Sequence, residues 1–221
     1  MKKIAFLIHG TNKYSYMALN LANNIVKFAD VVLFTNTPMV QMEGPIKVAP
    51  IDHLPWPLTT LLRYHRFLKY QWLLNNYNYI YHIDADVKLQ HKPDLEKLTS
   101  SELVFTQHPM YHTNAKPVFN NRGTSQLNLN GEELYFWGSL FGGRTDKFLE
   151  MSQTISKMID TDLKNGFIPE WWDEPYLNFY VNRLAIKYSI LDSKEWIWPE
   201  NQGPNDKSYF IGINKANELI R

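Results

Sequence analysis

The residues best suited to chemistry are Asp84 and Asp86, which flank Ala85 directly behind the apolar run Tyr79-Ile80-Tyr81-His82-Ile83. The run reads as a buried strand, with the acids at its carboxyl end. Strand side chains alternate between faces, so residues i and i+2 point the same way. Two carboxylates on one face repel each other unless a cation lies between them. Hard divalent ions take oxygen ligands and often bridge carboxylates to phosphate oxygens. A metal-chelated diphosphate is therefore the cargo this pair suits. Taken alone, the pair also fits two solvated turn residues.

A second stretch is Pro169-Glu170-Trp171-Trp172-Asp173-Glu174-Pro175-Tyr176-Leu177-Asn178. Two tryptophans precede two acids, and Pro175 marks a helix start. An anion is favoured there. The plain reading is a helix cap beside a tryptophan core. The functional reading is a catalytic carboxylate beside an aromatic sugar platform. Glycosyl transfer needs a carboxylate near an oxocarbenium-like centre, as nucleophile or charge stabiliser. A third stretch is Tyr135-Phe136-Trp137-Gly138-Ser139-Leu140-Phe141-Gly142-Gly143. Small residues within an aromatic strand suit close approach of a ligand to the backbone. The alternative is a strand that ends in a flexible Gly-Gly turn.

The pattern around these motifs predicts an α/β fold. Strands are expected at residues 3–8, 30–35, 46–48, 79–83, 103–106 and 135–141. Helices are expected at 16–28, 61–74, 147–164 and 175–182, the second capped by Thr59 or Thr60. Residues 114–130 read as a polar loop, and 208–221 as a strand-like piece with a basic tail. The β-α-β-β start implies a mostly parallel sheet with helices packed on it. In such sheets ligands bind outside the carboxyl ends of the strands, where Asp84 and Asp86 fall. No linker is visible, so 1–221 is expected as one domain. Its nucleotide-binding half covers about 1–90 and its sugar and acceptor half about 91–221.

Composition narrows the classes. The 221 residues can bury a full core. A net charge of +1 gives no electrostatic case for nucleic acid or an anionic membrane. The chain has no cysteine, which excludes disulfides, zinc-thiolate sites and thiol nucleophiles. The apolar run near the start is too short for a signal peptide or a membrane span, and no other stretch is long enough to cross a bilayer. A soluble, cytoplasmic protein is expected. Aromatic residues make up 14%, which serves a core and equally suits the apolar faces of sugars.

In this order, the motifs resemble the family 6 glycosyltransferases, which include the blood-group A and B transferases. Those enzymes show Asp-Val-Asp at a strand end, matched by Asp84-Ala85-Asp86. They show His-Pro after the next strand, matched by His108-Pro109. An aromatic strand ending Phe-Gly-Gly matches Phe141-Gly142-Gly143. The run from Asn165-Gly166-Phe167 through Trp171-Trp172-Asp173-Glu174 to Leu177-Asn178 matches at the same spacing. The resemblance extends from Ile8 to Arg221.

The resemblance implies a nucleotide-diphospho-sugar transferase fold of the Rossmann-like GT-A type with a mixed, mostly parallel sheet. It implies retaining transfer of a hexose (galactose, glucose or N-acetylgalactosamine) from a UDP-sugar to a saccharide hydroxyl, with Mn2+ or another divalent cation. Asp84 and Asp86 would be the metal ligands, and Asp84 would also reach the ribose. Tyr14, Trp56, Thr59 and Arg63 would line the nucleotide pocket. His9 stands where the family places an aromatic five residues before Tyr14. Lys215 and Arg221 would close over the diphosphate. Trp137, Gly138, Ser139 and Asp173 would meet the donor sugar. His108, Trp171 and Glu200 would meet the acceptor, and Glu174 would be catalytic.

Some positions depart from the family. Trp172 replaces a histidine, Pro199 falls where an acceptor-site aspartate is usual, and Ser139 replaces Gly or Ala. Ser139 narrows the room for an acetamido group, which argues for an unsubstituted hexose. The membrane anchor and stem of the animal enzymes are not expected here. Two rival readings fit less of the chain. A sugar nucleotidyltransferase needs a glycine-rich basic loop, of which Gly10-Thr11-Asn12-Lys13 is a poor version. A non-catalytic carbohydrate-binding module would have no need of Glu174.

Overall fold

The computed structural model describes residues 2–38, 44–113, 115–128, 131–185 and 187–214. Strand β1 (Ile4–His9) leads through helix α1 (Tyr14–Ile25) to β2 (Asp30–Thr35) and β3 (Ile46–Pro50). Three short helices follow, α2 (Leu58–Leu61), α3 (Arg63–Lys69) and α4 (Gln71–Leu74), and then β4 (Tyr79–Asp84). Beyond it come β5 (Val87–Leu89), α5 (Leu95–Leu98), β6 (Leu103–Gln107), β7 (Phe136–Arg144), α6 (Thr145–Lys164) and α7 (Glu174–Arg183). The chain then forms β8 (Tyr188–Leu191), α8 (Ser193–Trp196), β9 (Ile197–Pro199) and β10 (Phe210–Gly212).

Seven of these strands form one sheet in the order β3-β2-β1-β4-β7-β6-β8. All neighbours are parallel except those of β7, which runs against β4 and β6. This is the mixed, mostly parallel α/β architecture of the GT-A type. The inner strands are apolar throughout because both faces of the sheet are covered. Ala5, Leu7, Val32, Phe34 and Ile80 pack on one side against α3, α6 and α7. Phe6, Ile8, Val31, Leu33 and Tyr81 pack on the other, toward α1 and a small sheet of order β5-β10-β9.

Several expected elements differ in form. The helix predicted over 61–74 is broken into α2, α3 and α4, because Leu62 and Tyr70 leave helical dihedrals. Carbonyls near the first break are taken up by side chains, Arg63 Nε donating to Thr60 O at 3.3 Å and Arg66 Nη1 to Thr59 O at 3.0 Å. Gly142 and Gly143 lie inside β7 rather than in a terminal turn. A Cβ on Gly142 would meet Ile80 O and Tyr81 Cα, and one on Gly143 would meet Glu102 O. The glycines thus let β7 sit between β4 and β6. Of the predicted tail, β10 is described, while Lys215 and Arg221 lie outside the described residues.

Candidate active site

The strand register assembles the site. Phe34 pairs with His9, and His9 with Asp84, so β2, β1 and β4 end side by side. Strand β7 runs the other way and begins at this same edge, with Leu140 opposite Ile83. Its first residues, Trp137, Gly138 and Ser139, therefore stand beside Asp84. A cavity of about 630 Å³ opens here. Its wall includes His9, Tyr14, Trp56, Thr59, Arg63, Asp84, Asp86, His108, Trp137, Gly138, Ser139, Trp171, Asp173 and Glu174. Residues predicted from motifs scattered over most of the chain thus converge on one space.

Strand alternation accounts for Asp84 but not for Asp86. Strand β4 ends at Asp84, and Ala85-Asp86 form a bend before β5. The bend, held by Ile213 N donating to Asp86 O at 2.8 Å, brings Asp86 to the same cavity.

Arg63 organises the floor. The residue is 8% exposed. Its Nη1 donates to Asp84 Oδ1 at 3.2 Å and to Gly138 O at 3.2 Å, and it also contacts His82 Nε2. Its Nε lies 3.0 Å from Asp173 Oδ2. Burial alone would lower the guanidinium pKa, but the Asp173 and Asp84 carboxylates outweigh it and hold it above its ordinary value. His82 is held at about 4 by burial, with Arg63 adding to the effect, so the ring is neutral at pH 7. Arg63 is expected to reach the donor; in this structure its guanidinium is engaged by Asp84, Asp173, His82 and Gly138 O.

Glu174 is the first residue of α7 but does not cap it. Its Oε2 accepts from Gly138 N at 3.0 Å. Asp173, at the N-cap position, makes no side-chain cap bond either. The helix-cap reading of these acids therefore fails. Burial pushes the Glu174 carboxyl up to about 7, against the pull of its hydrogen bond from Gly138, and the Asp173 carboxyl up to about 6, against Arg63. A carboxyl that ionises near neutrality, in a cleft, is the mark of a functional group.

The amides of α7 fix its place. Asn178 Oδ1 accepts from Phe136 N at 2.7 Å, and its Nδ2 donates to Phe136 O at 3.0 Å. Asn182, one turn on, does the same for Leu134 at 3.0 and 2.9 Å. Residues i and i+4 share a helix face. The two amides act as a strand partner for the start of β7 and set Glu174 over Gly138.

Of the residues expected to meet the acceptor, His108 and Trp171 line the same cavity. His108 Nδ1 accepts from Met110 N at 3.1 Å. Burial lowers its pKa to about 4, so the neutral ring carries its proton on Nε2 and can donate from there. Trp56 and Trp172 meet edge to face at 4.1 Å, with Trp171 6.1 Å from Trp172. Trp56 and Trp171 are exposed. Trp172 has φ 52°, a left-handed conformation that is costly for a bulky residue. Glu200 is outside the cavity wall, and its Oε2 accepts from Asn214 N at 3.0 Å.

A second chamber of about 350 Å³ adjoins the first and shares Asp84, Asp86, Trp137 and Ser139 with it. Pro199, Asn201 and Asn214 close its far side. Among the described residues no group of three His, Cys, Asp or Glu side chains could hold a metal unaided. Asp84 and Asp86 are hard oxygen donors, and a divalent ion bound through two carboxylates and substrate phosphates fits this set.

His82, His53, Tyr135, Trp172 and Asn178 were not singled out as site residues from sequence, although each lines or braces the site. The aromatic string before Gly138 contained the signal for Tyr135, but aromatic strings serve cores equally well.

The doubly covered, mostly parallel sheet, with a carboxylate pair at its carboxyl edge, is consistent with the GT-A-like nucleotide-sugar transferase fold. The family model for glycosyltransferase family 6 matches residues 62–217, and the chain belongs to that family. It is 28% identical over 177 residues to the O-antigen biosynthesis glycosyltransferase WbnI of Escherichia coli, covering 78% of this chain and 74% of that protein. It is 25% identical over 205 residues to globoside alpha-1,3-N-acetylgalactosaminyltransferase 1 of Canis lupus familiaris, covering 86% of this chain and 58% of that protein. With the same transferase of Mus musculus the identity is 27% over 152 residues, 65% of this chain and 42% of that protein. The chain thus spans about half the length of the two mammalian relatives. Among the described residues no helix is long and apolar enough to cross a membrane.

Proposed function

We propose that this transferase moves a hexose from a UDP-sugar to a saccharide hydroxyl with retention of anomeric configuration and with a divalent cation, Mn2+ or similar. The observation that carries the reading is Glu174: a buried carboxyl pushed up to about 7, held by the Gly138 N–H, in the same cavity as Asp84 and Asp86. The nucleotide would lie along Tyr14, Trp56 and Thr59, with its diphosphate toward Asp84 and Asp86. The cation would supply electrostatic stabilisation of the leaving diphosphate. Trp137, Gly138, Ser139 and Asp173 would surround the sugar, with Glu174 at its anomeric carbon. As nucleophile or as charge stabiliser, Glu174 must be ionised to act. His108 Nε2 and the exposed face of Trp171 would orient the acceptor, and Lys215 and Arg221 would serve the diphosphate as the resemblance implies.

Mass spectrometry of turnover over UDP-galactose, UDP-glucose and UDP-GalNAc, with and without Mn2+, tests the donor and the cation. NMR of the product linkage tests retention. Failure of all three donors, or a β-linked product, would overturn the reading.

A further inference from the structure

A second buried arginine lines the cavity, and no acid holds it. Arg66 follows Arg63 by one turn of α3 and is 7% exposed. Arg63 is paired to Asp84 and Asp173. Among the described residues no carboxylate forms an ion pair with Arg66. Its partners are two backbone carbonyls, with Nη1 donating to Thr59 O at 3.0 Å and Nη2 to Asp52 O at 3.2 Å. A guanidinium carries five N–H donors in a fixed fork and accepts nothing. The two carbonyls fix the direction of the fork and leave donors over. A buried charge with unused donors is costly unless a partner arrives.

The anchors place Arg66 at the far end of the cavity from the carboxylate pair. Asp52 lies just past β3, whose end is tied to β2 by Ile51 N donating to Thr35 O at 3.0 Å. In the sheet β3 is three places from β4, the strand that ends in Asp84. Neighbouring strands are about 4.8 Å apart, so the two ends are separated by roughly 14 Å along the carboxyl edge. Thr11, after β1, and His53, after Asp52, also line the cavity, and Thr11 Oγ1 lies 2.9 Å from His53 Nδ1. The loops that follow β1 and β3 are thus joined beside Arg66.

We propose that Arg66 reads the base of the donor nucleotide: its remaining N–H donors bond O4 of uracil and select uridine over cytidine nucleotides. The proposal rests on the reading of the donor as a UDP-sugar with its diphosphate toward Asp84 and Asp86. A nucleotide extended from there along the sheet edge carries its base toward β3. Uracil and cytosine share the carbonyl at position 2 and differ at position 4, where uracil has an oxygen acceptor and cytosine an amino donor. The guanidinium satisfies the first. Against the second it sets donor to donor, and both groups lose water without gaining a partner.

Calorimetric titration of UDP and of CDP, each with Mn2+, into wild type, Arg66→Met and Arg66→Lys is the test. Wild type should bind UDP at least tenfold tighter than CDP. Arg66→Met should weaken UDP about tenfold, the scale of a lost hydrogen bond to a charged group, and CDP less than twofold. The preference for UDP should therefore fall about tenfold. Arg66→Lys keeps the charge but not the fork and should lower the preference as well, which decides the matter if Arg66→Met does not fold. Equal weakening of UDP and CDP would show that Arg66 serves the phosphates or only braces the loops, and would overturn the proposal. So would a wild type that binds the two alike. Failure of wild type to bind UDP would instead overturn the donor reading itself.

Discussion

Arg63 Nη1 meets Asp84 Oδ1 at 3.2 Å, on the protein side of a carboxylate whose side chain is 30% exposed. The acid that ends β4 is therefore oriented from within by a buried cation rather than left to turn in solvent. The same guanidinium reaches Asp173 at 3.0 Å, so it ties the carboxyl edge of the sheet to the segment that leads into Glu174. Truncation would leave Asp173 buried without its partner. Arg63→Ala should destabilise the fold by about 3 kcal/mol, the scale for breaking a buried pair from one side. The double variant Arg63→Ala/Asp173→Asn should regain part of that loss. Urea midpoints check both, and an unchanged midpoint in the single variant would show that the pair does not hold the site.

The carboxylate pair makes cation dependence the second prediction. Activity should vanish in EDTA and return with added Mn2+. Asp86→Asn should lower turnover by two orders of magnitude, roughly 3 kcal/mol of transition-state stabilisation. Its melting temperature should hold, since Asp86 sits in a bend at the cavity and not in the core. Undiminished turnover in EDTA would rule out the cation.

How much of this was written in the chain can be judged from particular residues. Strand β4 and its terminal acids were legible because a run buried on both faces is continuously apolar. Strands β5, β8 and β9 were not, since three or four residues carry too little pattern to separate strand from loop. Asp86 was expected beside Asp84 through strand alternation, whereas a bend after β4 brings it to the same cavity. The contact of Glu174 with Gly138 depends on α7 docking across β7 through Asn178, a contact between distant segments that no local pattern encodes. The departure at Trp172 was visible as a residue change, but its left-handed backbone and its packing on Trp56 were not.

Ser139 governs the third prediction. It is 2% exposed and lines both chambers, beside Trp137. Its side chain takes room that an acetamido group would need. Wild type should prefer UDP-galactose or UDP-glucose to UDP-GalNAc, and Ser139→Gly should shift the ratio toward UDP-GalNAc by about tenfold, the scale of a small steric change in a pocket. The ratio of kcat/KM values between donors is the measurement. A tenfold preference of wild type for UDP-GalNAc over both hexoses would refute it.

Glu174 supports the most demanding prediction, because activity and stability should move in opposite directions. Its carboxyl ionises at about 7 in the fold, against an ordinary value of 4.5. Turnover should therefore rise with pH through about 7 as the carboxylate forms. The sign for stability is the reverse. Between pH 4.5 and about 7 the folded state keeps a proton that the unfolded chain has lost, so the folded state loses ground as pH increases across that window. At pH 8 the charged carboxylate should cost up to about 3 kcal/mol, and at pH 4 nothing. Glu174→Gln has no charge to bury and can still accept from Gly138 N. It should melt several degrees above wild type at pH 8 and coincide with it at pH 4. Its turnover should fall by two orders of magnitude or more with donor affinity little changed, since the lost charge acts on the transition state. Calorimetry at the two pH values and steady-state kinetics give the answer together. If the variant melts lower than wild type at pH 8, the carboxylate is a structural brace; if it is stable and turns over normally, Asp173 becomes the residue to test.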